Sequence, residues 1–296
     1  VSTGRPNGPE RPGISAATAV VGVIGDPVAH SLSPRLHNAA FTALGLDWVS
    51  VGFTVASGRV EDALAGAAAL GVRGLSVTMP HKEAAAAAVA RLGPEAARLG
   101  AVNCVAFDDG VAVGENTDGA GFLAAVQRGD RFDPAGRRCL VVGAGGAARA
   151  VVAALAEAGA GEVVVVNRSA ERARAASGLA GPTGRVGGAE DAADADLVVN
   201  ATPLGMDAAG AEPPIWPVEP SLLHAGQLVV DLVYEPRRTA WLDAAARAGA
   251  ETMNGIGMLV HQAALQLRRW TGLAAPVEAM WRAVDADAAV GTSTPG

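Results

Sequence analysis

Arg138-Cys139-Leu140-Val141-Val142 runs without a break into Gly143-Ala144-Gly145-Gly146-Ala147-Ala148 and then into an alanine-rich stretch. The apolar, β-branched run predicts a buried strand, the glycines a tight turn, and the alanines a helix. A strand that turns directly into a helix sends that helix back across a sheet face, which is the unit of a parallel α/β sheet. Glycines in such a turn let the backbone approach a pyrophosphate, and the helix N-terminus adds N–H donors and positive potential. With a strand before it and a helix after it, the glycine pattern reads as a dinucleotide-binding loop. Gly143, Ala144, Gly145, Gly146 and Ala147 are its expected contacts.

The next apolar run, Glu162 to Val166, bears on which dinucleotide is bound. A site for NAD commonly has an Asp or Glu about twenty residues beyond the turn, on the ribose 2′-hydroxyl. Here the strand ends instead in Asn167-Arg168-Ser169, with Arg172 one helical turn later. Glu171 lies nearby, but on the following helix. Cations at the strand end and no acid there favour a 2′-phosphate, and therefore NADP.

The same alternation runs through the chain. Ala19 to Gly25, Trp48 to Thr54, Leu75 to Met79, Leu197 to Asn200 and Leu228 to Leu232 read as further strands. Arg59 to Leu70, Thr117 to Gln127, Ala147 to Ala158, Ala170 to Ala176, Arg238 to Ala248 and Met258 to Trp270 read as helices, with another from Val277. Ser33 suits a helix cap with Pro34 in first position, and Pro80 suits the first position of the helix after Met79. Ala101 to Phe107 and Val111 to Gly114 flank Asp108-Asp109-Gly110, a hairpin signal. The first half is therefore expected to form a mainly parallel sheet with an antiparallel edge. Residues 1–17, rich in Pro and Gly, read as a disordered leader. Gly129 to Gly136 reads as a linker, Asp207 to Pro220 as a loop, and the last half-dozen residues as frayed.

A chain of 296 residues holds one large or two modest domains. The net charge of −7 and the scattered arginines argue against nucleic acid as a partner. No apolar run reaches membrane-spanning length, so no membrane partner is expected. The two cysteines, Cys104 and Cys139, sit in apolar strands; a disulfide framework is excluded on count, and a reducing cytoplasmic setting is expected. The five histidines have no paired ligand spacing, so no metal site is expected.

Among the basic side chains, Lys82 is the only lysine; the others are all arginine. Arginine serves a surface equally well but cannot give and take a proton, since its guanidinium stays charged, whereas a lysine ammonium can. Lys82 falls in the first turn of the helix after Leu75 to Met79, where the helix dipole disfavours a cation. That placement points to acid–base chemistry. Around it stand residues that each also have a structural explanation. Asp118 is a carboxylate at a helix start, Asn103 an amide in an apolar strand, and Ser31 and Ser33 hydroxyls on the loop leaving the first strand. Tyr234 is the only tyrosine, and Gln262 sits on an apolar-faced helix.

Taken together these segments resemble the shikimate dehydrogenase family. The resemblance rests on His30-Ser31-Leu32-Ser33-Pro34, Val77-Thr78-Met79-Pro80-His81-Lys82, Gly100-Ala101-Val102-Asn103, Asn116-Thr117-Asp118-Gly119, Gly143-Ala144-Gly145-Gly146-Ala147, Asn167-Arg168-Ser169, Asn200-Ala201-Thr202-Pro203-Leu204-Gly205 and Gly255-Ile256-Gly257-Met258-Leu259. It covers about residues 20–285. It implies NADP-linked reduction of 3-dehydroshikimate to shikimate on the route to aromatic amino acids. It also implies an α/β fold in which an N-terminal, mainly parallel α/β substrate domain, 18–118 with 256–290, joins a C-terminal Rossmann-type NADP-binding domain, 119–255, with the cleft between them. Either a monomer or a homodimer is compatible with the sequence.

By matching position, Lys82 and Asp118 would be the catalytic pair. Ser31, Ser33 and Tyr234 would hold the substrate carboxylate, and Thr78, Asn103 and Gln262 its ring hydroxyls. The glycine turn would take the pyrophosphate, Asn167, Arg168 and Arg172 the 2′-phosphate, and Thr202, Gly255 and Met258 the nicotinamide side. The chain departs from the family at Ser76, where many members have Asn. Two rival readings remain: the same fold acting on quinate with NAD, and a non-catalytic regulator that binds NADP or shikimate. A folate-type methylene dehydrogenase would carry Tyr-x-x-x-Lys, which is absent.

Overall fold

A computed structural model of the chain describes residues 13–206 and 215–290. It forms two compact units, Val1–Thr117 with Gln262–Gly296, and Asp118–His261. The first unit opens with β1 (Ala19–Gly25), α1 (Ser33–Ala43), β2 (Trp48–Thr54), α2 (Val60–Ala69), β3 (Gly74–Val77) and α3 (Lys82–Ala88). It continues with β4 (Arg91–Leu92), α4 (Pro94–Leu99), β5 (Cys104–Asp108) and β6 (Val111–Glu115). The sheet order is β2-β1-β3-β5-β6-β4. β1 pairs in parallel with β2 and β3, while β5 runs antiparallel to β3 and β6, giving the expected parallel body with an antiparallel side. The β5–β6 turn is made by Asp109 at φ 50° and Gly110 at φ 79°. Positive φ at both central residues is the twist-matched hairpin geometry, which Gly adopts freely and Asp tolerates.

The second unit contains α5 (Asp118–Val126), β7 (Arg138–Val142), α6 (Gly146–Glu157), β8 (Glu162–Val166), α7 (Ala170–Ser177) and β9 (Gly184–Val186). There follow β10 (Leu197–Asn200), β11 (Leu228–Asp231), α8 (Ala240–Arg247) and β12 (Glu251–Asn254). All pairings in its sheet are parallel and the order is β12-β11-β10-β7-β8-β9, the doubly wound arrangement of a Rossmann-type fold. Alternate residues along the strands divide between two cores. Val141, Val163, Val165, Val199 and Val230 pack with Val151, Val152 and Leu155 of α6; Leu140, Val164, Val198 and Val229 pack with Trp241 and Leu242 of α8. A sheet covered on both faces is why these strands read as unbroken apolar runs. The chain then enters α9 (Ile256–Thr271), passes back into the first unit, and ends its described part in α10 (Val277–Val290), which packs on α1.

Several local expectations are corrected. Pro80 does not begin a helix: the amide of His81 donates to Thr78 O at 2.9 Å, which makes Pro80 part of a turn, and α3 starts at Lys82. β3 accordingly ends at Val77 rather than Met79. Ser33 is the first helical residue rather than the cap; the N-cap position is Leu32, which offers no side-chain bond, and the Ser33 amide donates to Ser31 Oγ at 3.3 Å. α8 starts at Ala240, after Thr239, whose side chain accepts from Leu242 N. The short elements β4, α4, β9 and β12 add to those expected. Residues 1–12 of the expected leader, residues 207–214 of the expected loop and the last six residues lie outside the described residues. Ser15 to Thr18 form a turn, tied by Thr18 Oγ1 to Asp47 Oδ1 at 2.7 Å.

Close packing in the first unit is severe at Gly74, where a Cβ would lie 2.2 Å from the indole Nε1 of Trp270, which itself donates to Val105 O at 3.0 Å. Gly74→Ala is expected to lower unfolding stability by about 1–3 kcal/mol, the usual cost of overpacking. Urea denaturation checks this; an unchanged midpoint would show that the indole gives way freely.

Candidate active site

In the first unit, the loops carrying the candidate residues leave the ends of adjacent parallel strands. Thr78 N donates to Ile24 O at 2.9 Å and Asp26 N to Met79 O at 3.1 Å, so the segment after β1, with Ser31 and Ser33, is stitched to the one after β3. The approach is close enough that a Cβ on Gly25 would lie 2.5 Å from Thr78 Cγ2. Loops beyond the carboxyl ends of parallel strands are where open α/β sheets bind ligands. Ser33 is buried and Ser31 and Thr78 half-buried.

Lys82, half-buried, is the first residue of α3, and its carbonyl accepts from Val102 N at 2.9 Å. The adjacent Asn103 is 1% exposed and fully engaged. Its Nδ2 donates to Thr117 Oγ1 at 2.9 Å and Gln262 Oε1 at 3.3 Å, and its Oδ1 accepts from Thr117 N at 2.8 Å. Its carbonyl accepts from Val77 N at 2.8 Å and from Gln266 Nε2 at 2.9 Å. β5 begins at Cys104 rather than Ala101, so Asn103 stands just before the strand and not in it, and the buried amide finds there the partners its burial demands. Gln262 is itself buried and accepts from Gln266 Nε2 at 2.7 Å. Ser76, at the departure from the family pattern, is buried in β3.

In the second unit, Gly143 has φ +117°, and a Cβ there would lie 3.0 Å from Ala201 O, so glycine is required at the turn. No side chain caps α6, whose N-cap is Gly145; a Cβ on Gly145 would meet nothing within 4 Å. The first amides of this helix, beginning at Gly146 and Ala147, are therefore available to an anion. Beyond β8, Asn167 Nδ2 donates to Ser169 O at 3.1 Å, and Ser169 caps α7 by accepting from Arg172 N. Arg168 and Arg172 are both exposed. Asp118 begins α5 at 3% exposure, and α5 packs on α6 through Gly119, where a Cβ would lie 2.8 Å from Ala150 O. Gly255 is fixed by a similar approach, 2.1 Å from a notional Cβ to Leu232 O. Met258 is 8% exposed and packs in the α6-side core. Tyr234 is half-buried on the segment leaving β11.

The strand ends of this sheet also carry a polar cluster that the sequence reading left out. Asn200 and Asp231 are both 0% exposed, and Asn200 Nδ2 donates to Asp231 Oδ1 at 2.9 Å. Thr239 Oγ1 donates to Asp231 Oδ2 at 2.7 Å, and Asn200 Oδ1 accepts from the hydroxyl of Thr202 at 2.6 Å. Burial pushes the Asp231 carboxyl up to about 6, with the hydrogen bonds from Thr239, Val233 and Asn200 opposing it. A signal was available: Leu197-Val198-Val199-Asn200 and Leu228-Val229-Val230-Asp231 are apolar runs of one length, each ending in a polar residue. Burial also raises the thiols of Cys104 and Cys139, the latter to about 12, which leaves both inert. Among the described residues, no His, Cys, Asp and Glu side chains gather in a way that could hold a metal ion, and no helix is long and apolar enough to cross a membrane.

Comparison with known proteins follows the same segments. Residues 23–105 match a family described as the shikimate dehydrogenase substrate binding domain, residues 126–202 one described as shikimate/quinate 5-dehydrogenase, and residues 255–284 the shikimate 5′-dehydrogenase C-terminal domain. A Methanopyrus kandleri protein named shikimate dehydrogenase (NADP(+)) is 48% identical over 281 residues, covering 92% of this chain and 96% of that protein. Shikimate 5-dehydrogenase from Thermus thermophilus, solved in complex with NADP(H) and shikimate, has a TM-score of 0.82 at 39% identity, over 90% of this chain and 99% of that one. Quinate dehydrogenase from Corynebacterium glutamicum, solved in complex with NAD, has a TM-score of 0.81 at 34% identity, over 91% and 99%. Similar in sequence and fold along almost its whole length, this chain belongs to the shikimate dehydrogenase family.

Proposed function

We propose that this chain is the NADP-dependent oxidoreductase that reversibly reduces 3-dehydroshikimate to shikimate, in the cytoplasm and as a monomer or homodimer, on the route to aromatic amino acids. The observation that carries the reading is the presence in one chain of a sole lysine at the exit of β3 and an uncapped glycine turn followed by arginines. The residues fit NADP. The turn excludes a side chain at Gly143 and leaves open space at Gly145, as close approach of a pyrophosphate requires. Asn167, Arg168 and Arg172 follow β8, where the 2′-phosphate is expected, with the arginines exposed to receive it. Thr202, Gly255 and Met258 are assigned to the nicotinamide side.

When bound, the reduced nicotinamide supplies a hydride. Its arrival at a ketone carbon moves an electron pair onto the oxygen, which needs a nearby cation and then a proton. Lys82 provides both, first as ammonium and then as acid, and in the reverse direction its amine takes the hydroxyl proton. Asp118 orients the substrate hydroxyl. Ser31 and Ser33 donate to the substrate carboxylate, aided by Tyr234; the Ser31 oxygen already accepts from Ser33 N, which leaves its O–H to donate. Thr78, Asn103 and Gln262 serve the ring hydroxyls.

The quinate reading is favoured by the similarity to the quinate dehydrogenase, whose identity is nearly that of the Thermus thermophilus enzyme. The arginines after β8 stand against its NAD.

Lys82→Ala is expected to lower kcat by about 10²- to 10⁴-fold, the scale of general acid–base catalysis, with a smaller change in KM for shikimate. Steady-state kinetics check it, and near-normal turnover would remove the lysine from the mechanism. Arg168→Asp is expected to move the NADP/NAD ratio of kcat/KM about 10- to 100-fold toward NAD, the value of one charge-assisted hydrogen bond. An unchanged ratio would count against the 2′-phosphate clamp.

A further inference from the structure

We propose that Asp231 is a positioning residue for the cofactor: its carboxylate sets the orientation of the Asn200 amide, and through it the nicotinamide-side loop that carries Thr202. The proposal deepens the reading above and rests on it for the role of Thr202. β10 lies between β7 and β11, and Asn200 is paired with Val142 on one side and Asp231 on the other. Residue 201 continues the contact with the glycine turn: Ala201 N donates to Val142 O at 2.9 Å, and Ala201 O bounds the space beside Gly143. The loop from 201 to 206 therefore lies against the turn expected to take the pyrophosphate.

A side-chain amide can face either way, and here the carboxylate chooses. Asp231 Oδ1 accepts from Asn200 Nδ2 at 2.9 Å and from Val233 N at 3.1 Å. The reversed amide would set oxygen against carboxylate oxygen in a buried site, which is strongly unfavourable. With Nδ2 committed to Asp231 and to Leu204 O at 3.1 Å, Oδ1 is presented to Thr202. It accepts from Thr202 N at 3.0 Å and from Thr202 Oγ1 at 2.6 Å, and the Thr202 oxygen accepts in turn from Leu204 N at 3.2 Å. One buried amide thus fixes both the backbone and the hydroxyl of Thr202. The second carboxylate oxygen accepts from Thr239 Oγ1, the cap of α8.

Retaining a carboxylate in an otherwise apolar strand end is costly. An apolar group would serve packing equally well; an oxygen facing Asn200 Nδ2 is what the amide's orientation needs. The side chains bonded to it are uncharged: Asn200 from β10 and Thr239 from the α8 cap. The Val233 amide completes the set. Protonation at Oδ2 leaves Oδ1 accepting from Asn200 and Val233, with the Thr239 hydroxyl able to accept the new proton, so the amide orientation should hold on either side of the pH at which this group titrates.

The test is the equilibrium dissociation constant of NADP⁺ for the full chain, measured by calorimetry for wild type, Asp231→Ala and Asp231→Asn from about pH 5 to 8. Asp231→Ala, which frees the amide to turn, is expected to weaken binding about tenfold or more at pH 8, the value of one hydrogen bond to a charged group. Asp231→Asn keeps an oxygen toward Asn200 and can turn its NH₂ toward Thr239, so it should bind within about threefold of wild type at pH 8. The 2′-phosphate of the ligand titrates in the same range, so the variants are compared at each pH. The ratio of wild-type to Asp231→Asn affinity should stay constant from about pH 5 to 8, since the neutral acid and the amide both keep an oxygen toward Asn200. Thermal unfolding shows which variants are folded. If Asp231→Ala fails to fold, Asn200→Ala, which removes the amide that the carboxylate orients, is expected to weaken binding about tenfold and decides. Lowered melting with unchanged dissociation constants, or a wild-type to Asp231→Asn ratio that changes several-fold with pH, would overturn the proposal. Because binding is read directly, this outcome is separate from the reading above, which fails instead if wild type does not oxidise shikimate.

Discussion

The candidate groups of the first unit depend on one buried amide. Asn103 is buried just before β5, where an unpartnered polar group costs several times what a hydrogen bond returns, so its position is dictated by the partners that satisfy it. Those partners come from three directions. Its carbonyl receives Val77 at the exit of β3 and Gln266 from α9; its side chain receives Thr117 just before α5 and faces Gln262. The preceding residue, Val102, donates to the carbonyl of Lys82. Thr78, Lys82, Thr117 and Gln262, dispersed along the chain, are thereby referred to a single point. A site held by backbone and buried amide bonds is more sharply placed than one built on solvated loops.

The second unit follows a different logic. Its strands are buried on both faces, so their geometry is set by alternating valines and leucines, and polar chemistry is confined to the strand ends. There the glycine turn, the arginines after β8, and the Asn200–Asp231–Thr239 cluster stand in a row set by the strand order. The lysine lies on one unit and the glycine turn on the other.

Much of this was legible in the sequence because local physics and tertiary context agree. The glycine turn, the doubly wound alternation and the Asp109-Gly110 hairpin each state their geometry within a few residues. The short edge elements β4, β9 and β12 were not legible, since two to four residues of mixed polarity carry no period to read. Pro80 was misread because a proline suits either a turn or the start of a helix, and only the Thr78–His81 hydrogen bond distinguishes them. Asn103 was legible as an anomaly, an amide among apolar residues, but its partner Gln262 is 159 residues away. The Asp231 cluster was missed for the same reason: Asn200 and Asp231 are 31 residues apart, and only strand order makes them neighbours. The family resemblance supplied the reaction, which neither periodicity nor composition contains.

Reduction of a carbonyl at the expense of a phosphorylated dinucleotide is tested most directly by steady-state oxidation of shikimate, followed at the absorbance of reduced nicotinamide, with NADP⁺ and NAD⁺ in separate assays and quinate as a second substrate. Turnover of shikimate is expected, with kcat/KM clearly higher for NADP⁺ than for NAD⁺, and higher for shikimate than for quinate. No reduction of either dinucleotide, or efficient quinate oxidation with NAD⁺ in preference, would contradict it.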